Sequence, residues 1–163
     1  MAVSIRRATT EDGEVLARYN TAMAFETEGL KLEPDVIKKG VLGILEDESR
    51  GFYIVAVLGD GTIVGQLMIT YEWSDWRNGN IWWIQSVYVP KEFRKQGIFR
   101  ALYDHIHTMA RGTSGVVALR LYIHKDNLQA QATYAKLGIP VSEYLVCEND
   151  FVLGGARSQS HKP

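Results

Sequence analysis

The chain of 163 residues contains one cysteine, Cys147. That excludes an intrachain disulfide and any zinc centre built on paired cysteines, and it fits a reducing cytoplasm. Charge of one sign is also lacking: 18 Lys and Arg against 19 Asp and Glu leave a formal net charge of -1. No general attraction to nucleic acid or acidic membrane follows, so any anion site must be local. The stretch from Met1 to Arg7 turns charged before an apolar segment develops. No later run approaches the roughly 18 apolar residues of a membrane span, so neither secretion nor insertion is expected. A Gly-x-x-x-x-Gly-Lys-Ser/Thr loop is missing as well, which counts against a nucleotide-phosphate enzyme.

What is present suits one globular domain. Hydrophobic residues make up 46% of the chain and charged residues 23%, enough apolar material for a continuous core. Ile5 to Ala8 reads as a short strand, and Thr10-Glu11-Asp12 caps a helix carrying Val15, Leu16, Tyr19 and Met23. A second helix follows Pro34, with Val36, Ile37, Val41, Ile44 and Leu45 as its apolar set. Residues 52–58 and 62–71 form a hairpin around Gly59-Asp60-Gly61, and Asn78-Gly79-Asn80 turns the chain into a third antiparallel strand over 81–89. A helix over 98–111, a strand over 116–123, a helix over 127–137 and one or two closing strands over 142–152 complete the order, with Cys147 in that closing core. The expected fold class is α/β, a mixed and mostly antiparallel sheet flanked by helices, spanning 1–155 as one domain. Ala156 to Pro163 is a polar tail expected to be disordered.

The chemistry gathers where the third strand leaves the sheet. In Pro90-Lys91-Glu92-Phe93-Arg94-Lys95-Gln96-Gly97-Ile98-Phe99-Arg100 a basic loop with one glycine opens an amphipathic helix. First-turn amides lack intrahelical partners, the helix dipole adds partial positive charge, and Gly97 lets the backbone approach an anion closely. Read alone, the segment serves equally well as a capped helix start or as a diphosphate site. A second segment, Asn127-Leu128-Gln129-Ala130-Gln131-Ala132-Thr133-Tyr134, sets Ala130 and Tyr134 on one helix face, with the small Ala130 leaving room beside it.

Together these segments resemble the GNAT superfamily of N-acetyltransferases. Arg94-x-x-Gly97-x-Phe99 is similar to its Gln/Arg-x-x-Gly-x-Gly/Ala pyrophosphate motif, with Phe99 departing at the small-residue position, and Asn127-x-x-Ala130-x-x-x-Tyr134 is similar to its second motif. The resemblance implies acetyl-CoA as cosubstrate and no metal. It implies that the amides from Lys95 through Gln96, Gly97, Ile98 and Phe99 to Arg100 cradle the pyrophosphate, with the Phe99 ring turned away. It also implies that the strand over 83–89 splays from the strand over 119–123, so that the Val87 N–H polarises the thioester carbonyl and Val89 bonds the pantetheine arm. Asn127 and Ala130 would then border the coenzyme, and Tyr134 would act as general acid on the departing thiolate.

An attacking amine must be neutral, whereas a lysine-like amine has a pKa of about 10.4. Glu72, on the strand before the Asn78 turn, is one candidate base; an exposed strand carboxylate is the other reading of it. Gln85 stands on the next strand, where family members often carry a carboxylate, and can hold a water but not take a proton. All four tryptophans lie between residues 73 and 83. They either stabilise the hairpin, form a dimer surface, or wall a substrate pocket, with Trp73, Asp75 and Trp83 as its members. Glu26 and Glu28, placed after the first helix, would add negative charge there or remain surface carboxylates. The pattern looks closest to the small-amine and diamine acetyltransferases. The expected activity is therefore direct acetyl transfer to the primary amine of a small, cationic molecule by a cytoplasmic homodimer. The alternative is an acyl-CoA-binding sensor without turnover.

Overall fold

The computed structural model describes residues 3–151, which divide into a compact unit up to His124 and a second from Lys125. The first unit is built on a five-stranded sheet in the order β1 (Ser4–Arg7), β2 (Gly51–Val57), β3 (Ile63–Ser74), β4 (Gly79–Tyr88) and β5 (Val116–Leu121). Neighbours are antiparallel except β4 and β5, which run parallel. A parallel pair needs a crossover, and α3 (Ile98–Gly112) supplies it. The sheet is thus mixed and mostly antiparallel, the class that its sequence pattern indicates.

Alternation along the strands decides which helices cover which face. Tyr53, Val55 and Val57 point to one side of β2 and pack with Leu16 and Ala17 of α1 (Gly13–Glu28) and Val41 of α2 (Pro34–Leu45). On the other side α3 inserts Ile98, Leu102 and Ile106, all buried. It lies so close that a Cβ at Gly65 would stand 2.8 Å from the Ile98 side chain. A glycine inside this strand thus marks helix approach rather than a weak point in the ladder.

The turns follow their residue chemistry. Gly61, at φ +88, closes the β2–β3 hairpin, and Asn78, at φ +48, closes β3–β4, each in a conformation that most side chains avoid. At the entry to α1, Asp12 is buried and accepts two bonds from Arg6, at 2.7 and 2.9 Å, and one from the Thr9 N–H at 2.8 Å. The Arg6 guanidinium holds its carboxyl below the usual range.

Three expectations are corrected. Glu26 and Glu28 do not follow the first helix but belong to its last turns, since α1 continues to a left-handed cap at Gly29. Val36 is 67% exposed, because the core side of α2 is carried by Ile37, Val41, Ile44 and Leu45. In the second unit, residues 142–151 form no strand. Tyr144 and Leu145 are 82% and 92% exposed, and Cys147 is exposed rather than in a core. β-rich composition alone supplies no backbone partner, and a strand exists only where a ladder accepts it. The polar tail over 156–163 lies outside the described residues. Among the described residues no helix is long and apolar enough to cross a membrane.

Candidate active site

The parallel ladder between β4 and β5 runs from Asn80 and Val116 to Ile84 and Leu121, where β5 ends. β4 continues to Tyr88 with β3 as its ladder partner. The β5-facing backbone of residues 85–89 therefore stands outside the ladder, as an arm-binding edge requires. Within this stretch β4 carries a bulge: Ser86 and Val87 together oppose Leu67, between the pairs Gln66–Tyr88 and Met68–Gln85. Ser86 takes φ +50 to make it. A bulge re-aims the residues beside it, here Val87.

Beyond β4 the chain makes a short 3-10 turn at Lys91–Phe93 and enters α3 through Lys95, at φ +62, and Gly97, at φ +82. The first helical bond links the Ala101 N–H to the Gly97 carbonyl at 2.9 Å, so the amides of the first turn precede it. Nothing lies within 4 Å of where a Gly97 Cβ would stand, leaving open space for a ligand at the helix start. The Phe99 ring lies 6.4 Å from that of Tyr103, one turn further into α3. These residues fit a pyrophosphate.

The basic side chains around the loop are largely engaged elsewhere. Arg94 donates from Nε to the Val89 carbonyl at 2.8 Å and from Nη2 to Glu26 at 2.7 Å. Gln96 donates to the Glu92 carbonyl, and Arg100 pairs with Asp104 one turn along the helix. An anion at this helix start would meet backbone amides and the helix dipole more than the Arg94 and Arg100 charges. Glu26 also accepts from Tyr88 Oη at 2.8 Å. Arg94 holds the Glu26 carboxyl below its usual range, while burial and the Glu26 carboxylate push the Tyr88 phenol up to about 12.

The β3–β4 hairpin separates its two candidate bases. Gln85 pairs with Met68 and donates to Thr70 Oγ1 at 2.5 Å. Glu72 lies four positions along β3 from Met68, about 13 Å at strand rise. Its carboxylate accepts from Trp83 Nε1 at 2.6 Å and from Arg120 Nη1 at 3.2 and 3.3 Å. Trp83 stacks on Tyr122 with centroids 4.4 Å apart, and the Arg120 guanidinium stands 5.8 Å from the Trp83 ring centre. The tryptophans divide: Trp82 is buried in a ring cluster with Phe52 and Tyr71 on the α3 side, whereas Trp73 and Trp76 are exposed near the tip. Asp75 accepts from the Trp76 N–H in the turn. Glu28 is exposed at the end of α1.

In the second unit α4 spans Leu128–Lys136, and Asn127 caps it by accepting from the Ala130 N–H at 3.0 Å. Tyr134 is half-buried on this helix, and burial pushes its phenol up to about 12. Among the described residues no three His, Cys, Asp or Glu side chains gather as a metal site would need.

Tyr88, Arg120 and Tyr122 are not among the sequence candidates, nor is a buried polar set of Asn20, Tyr53 and Gln66 under the bulge. A signal existed only for Gln66, a polar residue within the apolar run from Ile63 to Met68. The others become visible once the strands are paired.

Comparison with known proteins converges on one fold. The crystal structure of a possible acetyltransferase from Clostridium difficile 630 is 43% identical, with a TM-score of 0.86, covering 93% of this chain and 99% of that one. A predicted acetyltransferase from Clostridium acetobutylicum, solved with acetyl-CoA, is 16% identical at a TM-score of 0.74, covering 91% of this chain and 96% of its own. A ribosomal-protein-alanine N-acetyltransferase from Brucella melitensis biovar Abortus 2308 is 18% identical at 0.73, covering 92% and 99%. The latter two likenesses bear on the fold alone. No curated protein matches the chain. The acetyltransferase (GNAT) family profile matches residues 15–139. With the parted strands, the bulge and the glycine-capped helix start in one continuous segment of that match, the chain belongs to the acetyltransferase (GNAT) family.

Proposed function

We propose that the protein is an acetyl-CoA-dependent N-acetyltransferase that acts directly on the primary amine of a small molecule, with residues 1–155 serving as one catalytic domain. The observation that carries this reading is the parting of β4 from β5 after Ile84, joined through the bulge to an open helix start at Gly97. Acetyl-CoA supplies the acetyl group as an activated thioester. The amides from Lys95 to Arg100 bind its pyrophosphate, and the Val89 backbone aligns the arm. The Val87 N–H donates to the thioester carbonyl oxygen, where negative charge grows as the amine attacks.

Gln85 holds a water that relays the amine proton to bulk solvent. Glu72, with Trp73, Asp75 and Trp83, serves as acceptor wall rather than base. Its pairing with Arg120 and its distance along the hairpin favour that division, since a base must come within about 3 Å of the proton it takes. Glu26 is tied to Arg94, which leaves less negative charge for a diamine-like acceptor. The small-amine assignment therefore rests on the aromatic wall more than on carboxylates.

Tyr134 donates from its hydroxyl to the departing thiolate. A phenol raised to about 12 stays neutral throughout the physiological range, and against a thiol near 8.5 it stabilises by hydrogen bonding more than by complete proton transfer. Substituting Tyr134→Phe should lower kcat about 100-fold, with acetyl-CoA affinity nearly unchanged, in a thiol-release assay across an amine panel. Thermal stabilisation by acetyl-CoA, together with no acceptor-dependent thiol release by the unaltered protein, would instead favour a non-catalytic acyl-CoA sensor. That second reading draws its support from Gln85 standing where a carboxylate is common.

A further inference from the structure

Ser86 sits at φ +50, in a left-handed conformation that non-glycine residues rarely adopt. Something must hold it there. Gln66 Nε2 donates to the Ser86 carbonyl at 3.3 Å and to Asn20 Oδ1 at 2.7 Å. Asn20 Nδ2 donates to Tyr53 Oη at 3.0 Å, and the Ser86 side chain meets the same phenol. Gln66 is fully buried, and Tyr53 and Asn20 are 3% and 5% exposed. One polar chain therefore runs from α1 through β2 and β3 to the residue that immediately precedes Val87.

The orientation of the Gln66 amide follows from its partners. Both are acceptors, so the nitrogen must face them and Oε1 must face away. That oxygen is buried and has no hydrogen-bond partner among the described residues. A side chain chosen for stability alone would not bring an orphaned acceptor into the core, because an apolar group of the same shape avoids that cost. Its nitrogen, in contrast, secures the carbonyl of Ser86, a bulged residue of β4.

We infer that Gln66, supported by Asn20 and Tyr53, is a positioning residue that sets the bulge at Ser86 and thereby aims the Val87 N–H at the thioester carbonyl. This rests on the acetyl-transfer reading for its purpose, but not for its geometry. Gln66 touches neither the coenzyme nor the acceptor; it acts through the Ser86 carbonyl. Because Asn20 belongs to α1, the same chain couples the position of that helix to the donor.

The test uses the full chain and two variants. Gln66→Met keeps the shape and removes the amide, while Tyr53→Phe removes only the hydroxyl and keeps the fold measurable if the first variant unfolds. In the unliganded protein, the Val87 backbone amide resonance should move in Gln66→Met and by less in Tyr53→Phe, while resonances of β1 and α2 stay in place. With [1-13C]acetyl-CoA bound, the carbonyl stretch should lie nearer its solution frequency in both variants than in the parent, and the acetyl-CoA Kd should change by less than about threefold, since the loop amides supply most of the binding. A folded Gln66→Met with an unmoved Val87 resonance would overturn the inference. If the parent leaves the carbonyl frequency unshifted, the acetyl-transfer reading fails, and the Val87 resonance still decides the positioning role.

Discussion

The two ends of the β3–β4 hairpin are built on opposite principles. At the bulged end Gln66 and Leu67 are fully buried and Tyr88 nearly so, and the polar atoms beneath Ser86 are linked across three strands and a helix. At the tip Trp73 is 61% exposed and Trp76 89%, and the turn is held by local bonds around Asp75 and Asn78. The buried end suits a task done by backbone, which needs fixed dihedrals and exclusion of water. The tip suits recognition by side chains, where change costs the fold little.

Substitutions can break this comparison or sharpen it. The largest effect is expected from Leu67→Ala, which opens a cavity opposite the bulge and should lower unfolding free energy by about 3 kcal/mol, read from the urea midpoint. A change under about 1 kcal/mol would mean that the bulged end is less tightly packed than its burial indicates.

Next comes the division between Gln85 and Glu72. Gln85→Ala should reduce kcat about 100-fold, whereas Glu72→Gln should act mainly on the acceptor KM with kcat within about threefold, because the carboxylate is already committed to Trp83 and Arg120. Steady-state kinetics with the best amine of the panel checks both, and a collapse of kcat in Glu72→Gln would return the base role to that residue. The smallest effect belongs to Trp76→Ala, expected within about 0.5 kcal/mol of the parent in thermal unfolding. A larger loss, one that grows with protein concentration, would point to a self-association surface at the tip instead.

Much of this architecture is legible in the sequence alone. The turn chemistry of Gly61 and Asn78, the helical spacing of Ile98, Leu102 and Ile106, and the glycine at the start of α3 are local signals, and each stands where its residues indicate. The segment over 142–151 shows the converse. Tyr144, Leu145 and Val146 have strand-forming side chains, yet they remain exposed and outside any ladder, since strand formation depends on a partner that composition does not name. Site residues were legible only as candidates. Glu72 reads as a free carboxylate until β5 brings Arg120 alongside, and Glu26 reads as surface charge until α1 sets it against Arg94 and Tyr88.

By itself, the sequence determined the elements up to α4, the glycine-led helix start and the paired motifs that mark the family, all of which depend on spacings of a few residues. Tertiary structure alone decided where β4 parts from β5, that Ser86 bulges over Gln66, and which carboxylates are already neutralised. The reason is the range of the interactions. Capping and periodicity act within one or two turns of chain, whereas the bond from Gln66 to Ser86 and the ion pair of Arg94 with Glu26 join residues 20 and 68 positions apart, and such partners become known only when the sheet has formed.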